Sequence, residues 1–528
     1  MNTEILHVTF RRVRIRNYEK KILLGLLLVF PMFFHSNAQK LHSDNGDGTY
    51  TNPVIFADFP DPDVIRVDSV YYFVSTTMFI FPGVTLLKSY DLVNWEYCSN
   101  AVQRFDFSKC YNLDSCKRYS HGQWATSLKY HNDKFHLLFI TLDEGGFLCS
   151  STKPEGPWEL EKLPKGFYDP GLFFDDDGKI YVAHGYSKIY ITELDEYFVA
   201  KGDDVLVYTG DIRPGLEGSH IYKRNGYYYL YSTYGGGDGF QVALRSKNIY
   251  GPYEQKIVIR DNGNLGTGIH QGALIETQTG EWWSVIFQDG GAFGRFPTLQ
   301  PVTWIEDWPM VGVDGKGVIT FRKPDVGRVY PKKVLPTSDE FDQPELGMQW
   351  GWNHNPDSTK WSLTQNPGYL RLATPKVLTN LRDARNTLTQ RIFASYSRGS
   401  TMGTVKMNIE NMKDGDVAGL AVFQDPYAYI GIEQINGIKY VVMVNNGNTI
   451  NSVTINTSSV YLRATADYGS SKASFSFSTD NQNFNILGNT MDMKFNLSIF
   501  TGNKFCLFNY ATKATGGFVD FDWFRTNY

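Results

Sequence analysis

The sequence predicts an all-β protein, a five-bladed β-propeller followed by a β-sandwich. Three observations predict this fold class. A β-hairpin pattern recurs five times before Arg322, and a further strand follows several of these hairpins. After Arg322 the pattern changes to short strands separated by Asn-, Gly- and Ser-rich turns. Outside the apolar N-terminal stretch, helical periodicity does not compete with these signals.

The length and charge of the chain narrow the classes of function. With 528 residues, 42% of them hydrophobic, the chain is long enough for two cores. The formal net charge is only −4, and acidic and basic residues are interspersed. This pattern excludes nucleic acid or an anionic membrane surface as the partner and favours a neutral substrate. Most of the aromatic residues, 15% of the chain, are expected to pack in cores, with a few free for ligand contacts.

Residues 1–38 are predicted to be a signal peptide. The basic pair Lys20–Lys21 precedes an apolar run, Ile22–Phe34, and a small-residue cleavage site that ends at Ala38. The run is too short for a convincing membrane span. We therefore expect an exported protein, periplasmic or extracellular, whose mature part does not span a membrane. Gln39, where a lipoprotein would have Cys, argues against a lipid anchor, and the oligomeric state is left open.

Five cysteines are too few and too scattered for a disulfide framework. Cys110 and Cys116 are close enough in sequence to pair in an oxidising compartment. Free or buried thiols are an equally good interpretation. Because the chain has no CxxC pair, a cysteine-based metal site is not predicted.

Residues 39–325 are assigned to the propeller. Each hairpin joins two apolar or aromatic strands through a polar turn. A Ser six or seven residues before an aromatic residue then marks the end of a further strand, and four-stranded sheets repeated around an axis form a propeller. A β-sandwich is the structural alternative, but it does not require the repeated outer strand. The hairpins begin at Val64, Ser127, Gly171, His220 and Ala273, and the outer-strand motifs pair Ser89 with Trp95, Ser151 with Trp158 and Ser246 with Tyr253.

The second half of the chain has a different pattern. Residues 326–340, rich in Pro, charge and turn formers, are predicted to be a linker. From 341 to 528, strands such as YLRLAT, TVKMNIE and GLAVFQ alternate with polar turns, and the chain ends on FVDFDWFRTNY. This pattern is typical of a β-sandwich.

Three acidic residues, Asp61, Asp169 and Glu217, each stand beside Pro or Gly just before a predicted strand. The prolines around Asp61 are expected to keep its turn extended. Apolar surroundings are expected to raise the pKa of Glu217 and keep it protonated near neutrality. The same end of each innermost strand faces the axis of a propeller, so we expect the three carboxylates to converge. One could activate water, one could protonate a leaving oxygen and the third could tune the acid, as in a glycosidase.

Each acid taken alone is better explained as structural, since an Asp beside Pro usually caps a turn and Glu217 suits a surface loop. Asp58 and Asp63 are competing candidates beside Asp61. The run Asp175–Asp177 precedes a Gly in a predicted hairpin turn and lacks the spacing of an EF-hand, so it is assigned no chemistry. The case for catalysis therefore depends on the three motifs together.

Other residues are candidate ligand contacts. Arg295 could donate to sugar hydroxyls or to a carboxylate, with a surface ion pair as the alternative. Phe79, Phe81 and Trp124 are candidates for an apolar sugar platform, although each is more often a core residue. His270 could ligate a metal ion or water at the axis, although a lone His is more often structural.

Residues 52–313 resemble glycoside hydrolase family 43 in the motifs NPVIFADFPDPDVIRV, YDPGLFFDDDGKIYVAHG, LEGSHIYKRNGYYYLYST and HQGALIETQTGEWWSVIF. The C-terminal part resembles the concanavalin-A-like sandwich often attached to β-xylosidases of the family, in SDEFDQPELGMQWGWNHNP and VDFDWFR. Together the two resemblances cover nearly all of the mature chain. They imply a five-bladed propeller with inverting chemistry.

Carried over motif by motif, the resemblance implies that Asp61 is the general base, Glu217 the general acid and Asp169 the residue that orients the acid and tunes its pKa. Arg295 matches the family's sugar-binding arginine. His270 matches a histidine near the axis that accompanies a bound calcium ion in some members. The resemblance implies that no cofactor is required, with structural Ca2+ near the propeller axis as the one candidate metal.

The predicted function is exo-acting, inverting release of a terminal pentose from plant-type oligosaccharides or polysaccharides. β-D-Xylose is favoured because of the appended sandwich. An α-L-arabinofuranosidase is the close alternative, and a non-catalytic carbohydrate-binding propeller is the alternative from another class. Ser219 stands where the family often has Pro, and Gln271, itself a candidate sugar contact, departs from the pattern beside His270. These departures leave the substrate subclass and the metal open.

Overall fold

The structure, a computed structural model, describes residues 42–263, 266–397 and 399–528. The predicted signal peptide lies outside the described residues. Within these ranges, no helix is long and apolar enough to span a bilayer. The all-β prediction is confirmed, since the helical elements among the described residues are three short 3-10 turns, at Lys109–Asn112, Gly291–Phe293 and Leu381–Asp383.

Five antiparallel four-stranded sheets follow one another around a common axis, which confirms the predicted propeller. Within each sheet the strands lie in chain order, and the five first strands contact one another in a closed ring. The first strand of every blade is therefore the innermost. The strands are β1 (Thr49–Thr51); β2 (Asp63–Val67), β3 (Val70–Ser75), β4 (Ile80–Phe81), β5 (Gly83–Ser89) and β6 (Trp95–Val102) in the stretch of the first blade; β7 (Gln123–His131), β8 (Lys134–Thr141), β9 (Gly145–Ser151) and β10 (Glu159–Lys162) in the second; β11 (Gly171–Phe174), β12 (Ile180–His184), β13 (Lys188–Leu194) and β14 (Val205–Thr209) in the third; β15 (Leu216–Arg224), β16 (Tyr227–Tyr234), β17 (Phe240–Ser246) and β18 (Glu254–Ile259) in the fourth; β19 (Thr267–Glu276), β20 (Trp282–Asp289), β21 (Arg295–Ile305) and β22 (Trp308–Val311) in the fifth; and β23 (Thr320–Arg322).

The repeated motifs lie where the sequence predicted them. All five hairpins form, from β2–β3 in the first blade to β19–β20 in the fifth. The Ser of each outer-strand motif is the last residue of a third strand, at Ser89, Ser151 and Ser246. The aromatic residue that follows opens the fourth strand or stands one residue before it, as Trp95 opens β6.

The ring of blades is closed by the segment that precedes the first blade. Strand β1 pairs with β23 beyond the fifth blade. The Asn52 side chain is both a donor and an acceptor to β21. Its Nδ2 donates to the Leu299 carbonyl at 2.8 Å, and its Oδ1 accepts from the Leu299 N–H at 2.9 Å. These bonds attach the segment leading to Asp61 to the fifth blade. In the loop between the first two blades, a disulfide joins Cys110 to Cys116.

Among the described residues, the fifteen remaining strands and β4 form two facing eight-stranded sheets, which confirms the predicted sandwich. Alternating residues such as Leu420 and Leu462 are fully buried in the core between the sheets. The strands are β24 (Trp350–Asn353), β25 (Trp361–Ser362), β26 (Leu370–Ala373), β27 (Leu388–Arg391), β28 (Ser400–Asn408), β29 (Asp416–Phe423), β30 (Ala428–Ile435), β31 (Ile438–Asn445), β32 (Asn448–Ile455), β33 (Ser459–Asp467), β34 (Lys472–Ser478), β35 (Asn485–Ile486), β36 (Met491–Asp492), β37 (Lys504–Ala511) and β38 (Phe518–Asn527).

The propeller and the sandwich share a sheet. Strand β4, which interrupts the first blade, pairs with β24 and forms the edge of one sandwich sheet. The sandwich core also includes Phe56, Phe293 and Phe296, which come from the propeller part of the chain. The two parts therefore pack through one continuous apolar contact, which fixes the loops of one part against those of the other.

Candidate active site

A cavity of about 390 Å³ lies where the innermost strands of the propeller begin. Every blade contributes to its wall at this end. In blade order, the contributing residues are Asp61, Trp124, Asp169, Glu217 and His270. The three acidic residues singled out from the sequence therefore line one cavity, since equivalent positions of neighbouring blades converge at the axis.

Asp61 and Asp169 share an unusual backbone conformation. Their φ angles are +54° and +48°, in the left-handed region, although each precedes a proline. The prediction of an extended turn at Asp61 is therefore wrong. Asp adopts this conformation more readily than most residues, and surrounding contacts must hold it there. The Phe59 N–H supplies one such contact, because it donates to the Arg295 carbonyl at 3.0 Å.

Arg295 faces the Asp61 carboxylate. Its Nη1 donates to both carboxylate oxygens, at 3.3 and 3.4 Å. The side chains of Arg295 and Asp61 are only 6% and 10% exposed, which excludes the surface ion pair considered as the alternative for Arg295. The guanidinium also lies 4.7 Å from the Phe500 ring centre and 5.7 Å from that of Phe287. It is therefore held at the cavity wall, with donors available to a ligand.

Glu217 is the second residue of β15 and accepts a hydrogen bond from the Tyr168 hydroxyl at 3.1 Å. Burial raises the pKa of Glu217 to about 6, the Tyr168 hydrogen bond opposes this rise and the negative charge of Asp61 adds to it. The direction agrees with the expectation from the sequence. A pKa of about 6 means that Glu217 is largely protonated only below that pH.

Asp169 is 6% exposed, and the charges of both other acids act on it. Burial raises its pKa well above the ordinary range, and the charges of Glu217 and Asp61 raise it further. The backbone N–H of Gly218 donates to Asp169, so the residue after the candidate acid is bound to the third carboxylate. A proton on Asp169 therefore depends on the charge state of both neighbours.

Gly218 is required by its close contact with the fifth blade. A bulge separates Glu217 from His220 in the pairing with β16, and Gly218 has a φ of +63°. A Cβ at Gly218 would lie 2.4 Å from the Cβ of Gln271. Gln271 itself is buried and lines the cavity. Ser219, which stands where the family often has Pro, is bonded through its hydroxyl to Ser232 at 2.7 Å.

His270 forms a polar pair with Asp289. Its Nε2 lies 3.1 Å from Asp289 Oδ2, and its ring stacks on Phe287 with centres 4.7 Å apart. This pair offers two protein ligands at most. Among the described residues, no group of three or more His, Cys, Asp or Glu side chains is arranged to hold a metal ion. No step of the reaction is assigned to a metal ion.

The sandwich completes the cavity wall. Phe495, Leu497 and Phe500, from the loop before β37, line the cavity together with the blade residues. The Trp124 ring lies 5.3 Å from that of Phe500 and 6.1 Å from that of Tyr168. The cavity therefore has an aromatic side formed by both parts of the chain.

Phe79 and Phe81 do not lie in the cavity, so their prediction as a sugar platform is wrong. They are 1% and 0% exposed. Phe81 belongs to β4 and stacks on Phe105, while Phe79 packs against Tyr119 and His354. Phe79 thus lies at the contact between propeller and sandwich, beside His354 and Ile499, whereas the Phe81 ring belongs to an apolar cluster of the first two blades. Trp124, the third candidate, does line the cavity and is half-buried.

The competing acids near Asp61 have other partners. Asp63 is fully buried and accepts from the Leu128 N–H at 2.7 Å and from Lys129 Nζ at 2.9 Å. Asp58 accepts from the Arg295 N–H at 3.0 Å. Neither lines the cavity.

Several cavity residues were missed by the sequence interpretation. They are Tyr168, Thr267, Phe287, Asp289, Phe495, Leu497 and Phe500. Tyr168 had a usable signal, since it directly precedes Asp169 in the same motif. The three sandwich residues had no such signal, because the sequence of a loop does not show which distant part of the chain it packs against.

The comparisons with known proteins agree with this architecture. The sequence matches the profile of Glycosyl hydrolases family 43 over residues 50–309 and that of the Beta xylosidase C-terminal Concanavalin A-like domain over residues 338–527. A beta-xylosidase of Formosa agariphila is 33% identical, over 92% of this chain and 91% of its own. A non-reducing end alpha-L-arabinofuranosidase of Bacteroides ovatus is 32% identical, over 71% of this chain and 74% of its own.

A solved structure is similar over both parts of the chain. The bifunctional GH43-CE protein of Bacteroides eggerthii has a TM-score of 0.83 and 37% sequence identity, and the similarity covers 90% of this chain and 63% of that one. The two profile matches, and the 33% identity to the Formosa agariphila protein over 92% of this chain, show the family. The chain belongs to family 43 of the glycosyl hydrolases and is a glycoside hydrolase.

Proposed function

We propose that the protein is an exo-acting, inverting glycosidase that releases a terminal pentose, β-D-xylose in the first instance, from plant-type oligosaccharides or polysaccharides. The observation that carries the proposal is the convergence of Asp61, Asp169 and Glu217 in one cavity. The name of the Formosa agariphila relative supports xylose as the sugar.

In the proposed reaction, Asp61 takes a proton from a water molecule as that water attacks the anomeric carbon. Glu217 gives its proton to the glycosidic oxygen on the other side of the sugar, and the electron pair of the breaking bond goes to that oxygen. The configuration at the anomeric carbon inverts because attack and departure occur on opposite faces. Asp169 is assigned the tuning of Glu217, through its charge and through the Gly218 N–H.

Exo attack is supported by the shape of the site. Besides the blade residues, Phe495 and Phe500 of the sandwich line the cavity. We infer that these sandwich residues block the path of a continuous polysaccharide and leave space for a chain end. The cavity volume of about 390 Å³ lies near the lower end of the range for small-ligand pockets, as expected if one or two sugar units are enclosed.

α-L-Arabinofuranose is the second candidate sugar. The Bacteroides ovatus relative, whose name describes a non-reducing end arabinofuranosidase, supports this alternative. The deciding experiment is parallel hydrolysis of nitrophenyl β-xyloside and nitrophenyl α-arabinofuranoside. Faster release from the xyloside supports the first candidate and the reverse supports the second. Release from neither, with activity on a longer arabinan or xylan fragment, would contradict exo attack on a simple terminal pentose.

We also propose that the protein is exported, to the periplasm or beyond. The signal-peptide pattern of residues 1–38 and the disulfide between Cys110 and Cys116 support this location. N-terminal sequencing of the secreted protein would test it. A mature chain that begins at Gln39 is the expected result, and an uncleaved cytoplasmic chain would contradict the proposal.

Replacing Tyr168 with Phe is expected to move the alkaline limb of the pH–rate profile. Glu217 must be protonated to act as the acid, so kcat/KM should fall as pH rises through about 6. The Tyr168 hydroxyl stabilises the Glu217 carboxylate, and its loss raises the pKa of Glu217. The limb should shift upward by about one pH unit. A profile of kcat/KM against pH that stays in place would contradict this role.

Replacing Phe500 with Ala is expected to raise KM about tenfold. The variant loses a ring that faces the sugar, and a lost contact of about 1.4 kcal/mol corresponds to a tenfold weaker binding. Phe484→Ala is the matched control, since Phe484 is also a half-buried ring of the sandwich but packs on Arg463 away from the cavity. Steady-state kinetics on the preferred aryl pentoside provide the measurement. Equal KM values for the two variants would contradict a sugar-facing role for Phe500.

A further inference from the structure

A buried carboxylate that the proposed reaction does not use connects the propeller to the sandwich loop at the cavity. Asp58 lies three residues before Asp61, and its side chain is only 5% exposed. Its Oδ1 accepts from the Arg295 backbone N–H at 3.0 Å, and its Oδ2 accepts from the Gly502 N–H at 2.8 Å. Lys504 Nζ lies 3.5 Å from the same Oδ2. One side chain thus contacts the strand of the cavity arginine and two residues of the sandwich.

The backbones around Asp58 approach too closely for larger side chains. A Cβ at Gly294 would lie 2.4 Å from Asp58 Oδ1, and a Cβ at Gly502 would lie 2.3 Å from the Phe293 carbonyl oxygen. The main-chain carbonyl of Asp58 also accepts from Arg391 Nε at 2.8 Å. These approaches pack Asp58 tightly between the two parts of the chain.

The two groups that Asp58 holds both reach the cavity. Arg295 faces Asp61, and its Nη2 donates to the Phe500 carbonyl at 3.3 Å. Gly502 is two residues from Phe500, which lines the cavity. The position of the arginine and that of the aromatic wall are therefore set by the same carboxylate.

The negative charge of Asp58 is balanced by two buried basic side chains, those of Lys504 and Arg295. Burial alone would raise the pKa of Asp58, but Lys504 and Arg295 together hold it below its ordinary value. Lys504 is also buried, and burial lowers its pKa to about 8. An amide at position 58 would leave the Lys504 cation buried without its partner and would face one of the two N–H donors with its own NH₂ group.

We propose that Asp58 is a positioning residue, which locks the sandwich loop at Phe500 against the Arg295 backbone and so fixes the sugar-contacting wall of the cavity. The kinetic part of this inference rests on the proposed function. Asp58 touches neither the sugar nor the attacking water; its effect reaches the reaction through Arg295 and Phe500.

The test compares Asp58→Asn with Asp44→Asn. Asp44 is a suitable control because it is also a buried propeller Asp that accepts from a backbone N–H, that of Gly46, and from a lysine, Lys323. Hydrogen exchange measured by mass spectrometry reports on the loop directly. Exchange in residues 494–503 is expected to be faster in Asp58→Asn than in the natural protein and unchanged in Asp44→Asn.

Kinetics form the second readout. KM for the preferred aryl pentoside is expected to rise about tenfold in Asp58→Asn, with a smaller change in kcat, as for one lost hydrogen bond to a charged group. In a Phe500→Ala background the same substitution should raise KM by much less, since the residue acts through that loop. Asp44→Asn should leave KM unchanged.

Unchanged loop exchange and unchanged KM in a folded Asp58→Asn protein would overturn the inference, whatever happened to its melting temperature. If Asp58→Asn does not fold, Lys504→Met replaces it. This variant removes the cation and keeps the two Asp58 oxygens that accept from the Arg295 and Gly502 N–H groups. It should shift exchange and KM in the same directions, and no shift in either would equally overturn the inference. If the natural protein hydrolyses no glycoside, the proposed function fails, while the exchange measurement still decides the role of Asp58.

Discussion

Replacing Asp61 with Asn is expected to lower kcat by about 10²–10⁴-fold, the range that general acid–base catalysis supplies. The amide keeps the size of the side chain and can still accept from Arg295, but it cannot take a proton from water. The loss should be similar for all leaving groups, because water activation is needed for each of them. Initial rates on a nitrophenyl pentoside and on the matching disaccharide provide the measurement.

The control for this variant is Asp68→Asn. Asp68 also has a left-handed backbone, with a φ of +54°, but it stands in the exposed turn of the first hairpin. The Asp68→Asn variant should therefore leave kcat unchanged. It also shows whether an Asp-to-Asn change by itself disturbs a turn with a left-handed residue. If Asp61→Asn kept full activity, Asp61 could not be the base.

Replacing Glu217 with Gln is expected to lower kcat by about 10²–10⁴-fold on a disaccharide, whose leaving oxygen needs a proton. The loss should be far smaller on a dinitrophenyl pentoside, because that leaving group departs without protonation. The alkaline fall in kcat/KM near pH 6 should also disappear, since it reports the titration of Glu217. This dependence on the leaving group separates the acid from the base.

Glu254→Gln is the matched control, because Glu254 lies in the same blade but is exposed and paired with Arg245. Sugar binding should survive in Glu217→Gln, as titration calorimetry with the product pentose can show. A non-catalytic carbohydrate-binding propeller would make the opposite prediction. In that case the natural protein would bind sugar without turnover, and Glu217→Gln would leave its function intact.

The blade pattern could be predicted because each blade repeats the same local chemistry. Ser89, Ser151 and Ser246 end equivalent strands, and polar turns between aromatic strands mark the hairpins. The convergence of Asp61, Asp169 and Glu217 then follows from the ring of innermost strands. A repeated unit carries its fold in short-range patterns, so one sequence is enough to reveal it.

The backbone at Asp61 could not be predicted from the same patterns. Residues before proline prefer extended conformations, and both Asp61 and Asp169 depart from this preference. The segments that carry them are bonded to other parts of the chain: the Phe59 N–H donates to the Arg295 carbonyl, and the Tyr168 carbonyl accepts from the Gly185 N–H. Local propensity therefore predicted the wrong backbone conformation at Asp61, where tertiary contacts override it.

The aromatic wall was mispredicted for a similar reason. Phe79 and Phe81 are close to Asp61 in sequence but lie in the segment that β4 directs into the sandwich. Phe500, more than 400 residues from Asp61, occupies the cavity wall instead. Sequence distance does not show which loop of the sandwich docks on the propeller, and Asp58 acquires its significance only from that docking.

The stereochemistry of the released sugar tests most directly the claim that Asp61 activates water rather than attacking the sugar itself. Proton NMR of the first minutes of hydrolysis of a β-xyloside, before mutarotation, is the measurement. Direct attack by water predicts that the α-anomer of xylose appears first. Initial appearance of the β-anomer would require a covalent sugar–enzyme intermediate and would contradict the roles assigned to Asp61 and Glu217.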